Sequence, residues 1–413
     1  MRTSPPPVEN PASKGLPALS ICFVGTPWLA VGPEKGGIPK MILELSRVLS
    51  RDHDVHILCP KPASEEVMTD DRGRHFHYAQ VREVPVYPIP EKLTLNATGL
   101  GLLVRMIFAI GAIFAAYARM RREYRFDVTM LTNKFVALPI LALFRRQRRE
   151  VFIYSEQNIW PWLYSPPPGM LARFRYVANA VLGVLACQMS DAIHANSDSI
   201  RDGLLRQGVS GRPVAVIPNG VDMDFQQTIP APLSHPIRVA FVGRLVEDKG
   251  VQILVDVIRK VETSGRQIHF VIFGDGPLRS LVLEARGQYS TFLGDRPREE
   301  VLSALRSVHI ALFLSPVQNI PHLALLEALA LGKAVIATNV GDTSLFLSDR
   351  QNALLCQPDP DAVVRAILNI ADDNALYARL SSGAQALAAA NSWGEIARRH
   401  LTVFTSLIRS AGA

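Results

Sequence analysis

Short apolar runs alternate with longer runs whose apolar residues recur at helical spacing, and this alternation passes through the chain twice. The first cycle opens with an apolar run from Leu19 to Val24, too short to be anything but a core strand. A loop from Gly25 to Gly37 follows. Then come Ile38, Met41, Ile42, Leu45, Val48 and Leu49, spaced as on one face of a helix, and a strand from Val55 to Cys59. Further strands are expected at Val128–Leu131, Val151–Tyr154, Ala192–Ala195 and Val214–Ile217, with a helix over Leu171–Met189. The segment Phe225–Pro236, FQQTIPAPLSHP, has three prolines and no periodicity, so it reads as a linker. The pattern then restarts. Strands are expected at Ile237–Val242, His269–Phe273, Thr291–Leu293, His309–Leu314, Ala334–Thr338 and Ala353–Cys356. Helices are expected at Val251–Thr263, Leu278–Arg286, Arg298–Ser307, Pro360–Asp372 and Asn374–Ala390, with a last one from Trp393. Such alternation predicts an α/β fold of parallel sheets covered by helices. It gives a disordered leader (1–17), a first domain (18–224), a linker (225–236) and a second domain (237–392). Open parallel sheets bind ligands at the carboxyl ends of their strands, so the cleft between two such domains is the expected site.

The stretch Ser315–Gly341, SPVQNIPHLALLEALALGKAVIATNVG, concentrates the chemistry. It reads as a strand end, a loop, a helix from near Pro321 to Gly332, and a strand. From Leu323 to Leu331 every side chain but Glu327 is apolar, so the helix is expected to be buried almost all round. A carboxylate there needs either a buried cation or the hydroxyl groups of a ligand.

With 413 residues the chain is long enough for two cores, and 48% hydrophobic with 20% charged residues fits a soluble globular protein. The formal charge of +7 suits an anionic partner or a solvated basic face. Arginines cluster at 119, 121, 122 and 125 and at 145, 146, 148 and 149, but no basic stripe is interleaved with aromatics, which argues against nucleic acid. Cys22, Cys59, Cys187 and Cys356 lack metal-ligand spacing and fit reduced thiols in the cytoplasm. The apolar segment Gly99–Ala118 is interrupted by Arg105, and the remaining run is short of the roughly 20 residues a bilayer requires. It reads as a buried or surface-docking helix.

Gly36 and Gly37 precede a helix, where backbone amides can approach an anion; a plain tight turn explains them equally well. Arg244 and Lys249, between Gly243 and Gly250, follow a strand end and suit a diphosphate, although either alone could be a solvated loop cation. The glycines of Gly274–Pro277, GDGP, are expected to serve a turn.

Taken in order, IPNGVD (217–222), VGRLVEDKG (242–250), FGDGP (273–277), FLG (292–294) and LLEALALGKAVIATNVG (325–341) resemble the group 1, family 4-like glycosyltransferases, retaining enzymes of the GT-B fold. The resemblance covers the chain from about Leu19 and implies two Rossmann-like domains whose parallel sheets face across a cleft. The helix 393–413 would return to complete the first. It implies a nucleotide-sugar donor as co-substrate with no cofactor and no metal. It implies diphosphate binding by Arg244 and Lys249, with Gly36, Gly37 and Gly243 near the phosphates. Glu327 would hold the ribose, and Phe292 and Leu293 would flank the base. Two positions depart from the family. The first of its two glutamates, near the donor sugar, is Asn319 here, in a loop with Gln318, Ile320, Pro321 and His322 that would shape the sugar site. Where many members carry a histidine, this chain has Gln157 and Asn158, amides that can hydrogen-bond a sugar but cannot titrate. The acceptor would be a saccharide or lipid-linked hydroxyl, in polysaccharide, lipopolysaccharide or glycolipid synthesis. Gly99–Ala118, the nearby arginines and WPWLY (160–164) would suit an anionic membrane on the cytoplasmic side. The rival reading is a GT-B protein that binds a nucleotide or partner without transfer.

Overall fold

A computed structural model of the chain describes residues 17–26, 37–61, 74–82, 99–147, 150–157, 169–223, 232–285, 287–317 and 322–412. The expected leader, Gly36, Asn158, WPWLY, most of the expected linker and the loop Gln318, Asn319, Ile320, Pro321 lie outside the described residues.

The first sheet is built from β1 (Ser20–Val24), β2 (Asp54–Lys61), β3 (Arg74–Arg82), β4 (Val128–Leu131), β5 (Val151–Glu156), β6 (Ala192–Ala195) and β7 (Val214–Val216), in the order β3-β2-β1-β4-β5-β6-β7. β1 is parallel to both neighbours, with Ile21 opposite Val55 on one side and Val128 on the other. Its residues from Ile21 to Val24 are buried, as a central strand covered on both faces requires. The connecting helices are α1 (Ile38–Leu49), α2 (Gly99–Glu123), α3 (Lys134–Phe144), α4 (Met170–Met189) and α5 (Asp198–Arg206). Asn133 caps α3 by accepting from the Phe135 N–H at 3.0 Å, and Ser197 accepts from Ile200 in the first turn of α5. The segment Gly99–Ala118 forms most of α2, which buries Ala109, Ile113, Tyr117 and Met120 while Ile107 and Phe108 stay exposed.

The second sheet has six strands, β8 (Ile237–Val242), β9 (Ile268–Phe273), β10 (Ser290–Gly294), β11 (Ile310–Phe313), β12 (Ala334–Thr338) and β13 (Leu354–Cys356), in the order β10-β9-β8-β11-β12-β13, all parallel. Helices α6 (Val251–Thr263), α7 (Arg279–Glu284), α8 (Arg298–Arg306), α9 (Leu323–Ala330), α10 (Thr343–Phe346), α11 (Pro360–Asp372), α12 (Asn374–Ala390) and α13 (Trp393–Gly412) complete the chain. Asp359 and Asp373 cap α11 and α12 through the N–H groups of Ala362 and Leu376, each at 2.8 Å. α9 is short and apolar, and from Leu325 onward all of it is buried. Behind it Lys333 is wholly buried and donates to the carbonyls of Arg306 and Val308, at 3.0 and 2.9 Å. Burial pushes its ammonium down to about 8.

By contacts the chain forms two units. One runs to Ala195 and adds Gly203–Ala215 and Ala397–Ala413; the other comprises Asn196–Asp202 and Val216–Ile396. The second unit therefore begins ahead of the Asp224 boundary expected from sequence. The reason is local: Val221 N–H donates to Asn391, Trp393 N–H donates to Val221, and the Trp393 ring lies against Gly220 so closely that a Cβ there would overlap it. Asn196–Asp202 joins the second unit because Ser199 donates to Asp342 through its N–H at 3.0 Å and its hydroxyl at 2.5 Å.

Candidate active site

In the second unit the strand order reverses between β8 and β11, the switch point where the carboxyl ends of an open sheet leave a crevice. Three strand-end loops are packed backbone against backbone there. The Leu245 N–H donates to Asp275 at 2.9 Å, and the Gly274 N–H donates to Gly294 at 2.8 Å. Gly250, at φ 74°, lies against the Leu314 carbonyl, and Gly274 lies against the Gly243 carbonyl. A Cβ at either would overlap those oxygens. The glycines of GDGP thus serve the approach of two loops, while Gly243 has only ordinary contacts around its missing Cβ.

This packing holds Arg244 and Lys249 on one short loop. The Arg244 side chain is 66% exposed, with a loose 3.9 Å pairing to Asp248. Lys249, in the 3-10 turn Glu247–Lys249, is held below the usual lysine range by burial; Asp248 opposes that shift and Arg244 adds to it. His322, the residue before α9, stacks edge-on against Phe313 with ring centroids 5.2 Å apart. Burial, with the Lys249 charge as a smaller cause, pushes its imidazole down to about 3, so it is neutral at physiological pH. The structure therefore gathers Arg244, Lys249, His322 and the amino end of α9 at the switch point. The partial positive charge of that helix end adds to the two cations.

Glu327 has a protein partner that sequence reasoning missed. Arg298, the first residue of α8, donates from Nε to Glu327 Oε1 at 2.6 Å and from Nη2 to Asp222 Oδ2 at 3.4 Å. One guanidinium thus joins α9 to the IPNGVD turn. The pair is 29 residues apart, and no local spacing announces it. Phe292 and Leu293 lie at the bulged end of β10, with the Arg279 guanidinium 5.5 Å from the Phe292 ring centroid and Arg296 donating to the Leu293 carbonyl.

In the first unit Gly37 precedes α1 at φ 63° and ψ −124°, a backbone conformation that is essentially glycine's alone. Among the described residues no side chain crowds it. Gln157 follows β5 and donates to Ser155 Oγ at 3.3 Å, and Ser155 in turn lies 2.7 Å from His194 Nδ1. His194 packs against His400 of α13, 4.9 Å between ring centroids. Burial, and then His194, keep the His400 imidazole well below its usual range. Beside Gln157, Glu156 is fully buried and accepts from Tyr154 at 3.2 Å. Lys134 lies within its field: burial lowers the Lys134 ammonium and Glu156 opposes that shift. This pair also escaped the sequence.

Among solved structures, sucrose-phosphate synthase from Thermosynechococcus elongatus superposes with a TM-score of 0.74 at 20% identity, over 95% of this chain and 100% of that one. Anabaena HepE in complex with UDP-glucose gives 0.67 at 17%, over 94% and 100%. The fold is GT-B, an α/β architecture of glycosyltransferases. A glycosyl transferases group 1 model matches residues 236–373 and a glycosyltransferase family 4 model matches residues 35–225. The chain belongs to the group 1, family 4-like glycosyltransferases. A phosphatidylinositol N-acetylglucosaminyltransferase subunit from Arabidopsis thaliana is 34% identical over 195 residues, which are 46% of this chain and 43% of that protein. The chain spans less than two thirds of the length of the curated relatives it matches.

Proposed function

We propose that this glycosyltransferase moves a hexose-type sugar from a nucleotide-diphosphate donor to a hydroxyl of a saccharide or lipid-linked acceptor, with retention of configuration, in polysaccharide, lipopolysaccharide or glycolipid synthesis. The observation that carries the reading is the gathering of Arg244, Lys249 and the α9 amino end at the β8/β11 switch point. A departing diphosphate is the group such a field stabilises, and stabilisation of developing charge is the largest catalytic term available without a covalent nucleophile. The two cations do the work a divalent ion would otherwise do, and the nucleotide sugar is the sole co-substrate.

In this reading Glu327, oriented by Arg298, accepts hydrogen bonds from the ribose hydroxyls. Phe292 and Leu293 border the base, while Gly36, Gly37 and Gly243 leave room for phosphate. Gln318, Asn319, Ile320, Pro321 and His322 contact the sugar, with His322 as a neutral hydrogen-bonding group. Gln157 and Asn158 supply amides to a sugar hydroxyl or carbonyl. The enzyme works in the cytoplasm, at the inner face of the membrane. The name of HepE's solved complex, with UDP-glucose, makes uridine nucleotides the first donors to try.

The test is a thermal-shift panel of nucleotide sugars on the full chain, followed by turnover with several acceptors. A donor at a hundred times its Kd stabilises the native state by about 2.7 kcal/mol. The anomeric proton of the product, read by NMR, is expected to keep the donor's configuration, and inversion would refute retention. Donor binding without turnover on any acceptor would favour the non-catalytic reading.

A further inference from the structure

Along α4, Met170, Phe174, Val177, Val181 and Leu185 are all exposed, Met170 at 89% and Phe174 at 69%. Their spacing of four, three, four and four residues places them in one stripe along a helix of about 30 Å. The opposite side of α4 holds the buried Tyr176, Ala180, Gly183, Ala186 and Cys187. Among the described residues α4 is the helix long and apolar enough to cross a membrane, but with that side committed to the core it cannot leave the fold to do so. The stripe is flanked by the exposed Arg173 and Arg175. α4 packs on α3, and α3 on α2; across these three helices the sole acidic residue is Glu123, at the far end of α2.

We propose that α4 is the membrane-docking face of this protein, lying in the plane of an anionic lipid surface. Its stripe would sit among the acyl chains, with Arg173 and Arg175 on the headgroup phosphates. An apolar stripe edged by arginines, with no acid on its own helix, has the chemistry of an interfacial helix. A second copy fits less well. In a pairing of two copies through this face, no carboxylate on α3 or α4 of the second copy would meet Arg173 and Arg175. The placement differs from the sequence-based one: the continuous exposed stripe lies on α4, whereas α2 buries Ala109, Ile113, Tyr117 and Met120 and exposes Ile107 and Phe108. The inference rests on the transferase reading only for the lipid-linked acceptor.

Co-sedimentation of the full chain with vesicles of phosphatidylcholine, alone or with about 30% phosphatidylglycerol, tests it without donor or acceptor. Binding is expected on the anionic vesicles and is expected to weaken with salt. Arg173→Gln with Arg175→Gln should weaken it roughly 30-fold, about tenfold or less per cation. Phe174→Ser with Val181→Ser, at exposed positions that leave the melting curve in place, should weaken it by at least that much on both vesicle types. Ile107→Ser with Phe108→Ser on α2 should change it by less than threefold. The inference is overturned by wild-type binding that Phe174→Ser/Val181→Ser leaves intact, by a larger effect from the α2 variant, by the absence of lipid binding, or by a solution dimer that the α4 variant dissociates. Donor turnover on a soluble acceptor is measured without lipid, so a failure of docking and a failure of the transferase reading are separate results.

Discussion

Glu150 and Glu327 are both buried carboxylates, each met by an arginine Nε at 2.6 Å, yet their surroundings differ in kind. Glu150 stands immediately before β5, at the amino edge of the first sheet. Arg121 of α2 takes one oxygen, and the hydroxyls of Tyr117 and Thr129 donate to the other. Its side chain is 2% exposed, and the same guanidinium lies over the Phe144 ring. Glu327 lies on the helix that opens at the carboxyl edge of the second sheet, and its side chain and that of Arg298 are 10% and 31% exposed. There one arginine, Arg298, meets two carboxylates, Asp222 and Glu327. A carboxylate whose oxygens are both taken by the protein's own donors fastens a helix to a sheet. Glu327, more exposed and on the helix that opens at the switch point, is the carboxylate that the transferase reading sets against a ligand's hydroxyls.

The largest expected effects separate the two regions by what is lost. Arg244→Ala or Lys249→Ala should lower kcat about 10³-fold, with an unchanged circular-dichroism spectrum and melting curve, since each removes charge from the reacting diphosphate alone. Arg121→Ala should do the opposite. It strands a buried carboxylate and should cost about 3 kcal/mol in chemical denaturation, with turnover per folded molecule unchanged. Near-normal turnover in both switch-point variants would break the comparison. Next in size, Glu327→Gln should raise the donor KM by roughly 10- to 100-fold, about 1.4–2.8 kcal/mol, with a smaller loss of stability than Arg121→Ala. Equal destabilisation with unaltered KM would make Glu327 as structural as Glu150.

A smaller effect concerns pH. The His322 imidazole is lowered to about 3 in the folded chain, against about 6.5 when unfolded. Between those values the unfolded chain binds more protons, so the contribution of His322 to stability is complete above about pH 6.5 and is lost as pH falls toward 3. His400 titrates in the same direction, so the useful quantity is the difference between wild type and His322→Gln. That difference should grow in the variant's favour from about pH 6.5 to about pH 4. A constant difference would mean that the imidazole is solvated.

The regular elements were legible wherever apolar periodicity was strong: α6, α11 and β6 have the bounds their patterns predict. α3 went unread because Pro139 interrupts its pattern, and α5 because its nine residues carry only three large apolar side chains, Ile200, Leu204 and Leu205, too short a pattern to stand out. β3, at the sheet's edge, alternates histidine and arginine with apolar residues and offers no continuous run. At the site, the sequence carried the loop cations and Glu327, since motif order and a lone carboxylate in an apolar helix are local signals. Arg298 and the Lys134–Glu156 pair come from tertiary pairing across elements. The docking stripe was illegible for another reason. α4 is apolar on two sides, and a sequence does not say which of them the core takes.

The smallest effect probes the first unit's side of the comparison. Ser155 is buried at the carboxyl end of β5, its hydroxyl shared between Gln157 Nε2 and His194 Nδ1. Ser155→Ala leaves both groups without that partner. One unmade buried hydrogen bond costs about 1–3 kcal/mol, and here the half-buried Gln157 amide can turn to water, so the lower end applies. The variant should lose about 1 kcal/mol of stability and lower kcat a few-fold, because Gln157 is positioned less firmly, while donor affinity in the thermal-shift panel stays unchanged. Ser155→Cys, a weaker donor and acceptor of similar shape, should fall between. If Ser155→Ala instead abolished donor binding, this histidine-backed hydroxyl would belong with Glu327 as a ligand-holding centre. If it changed stability alone, the contact would be a fastening like Glu150, and Gln157 would act without it.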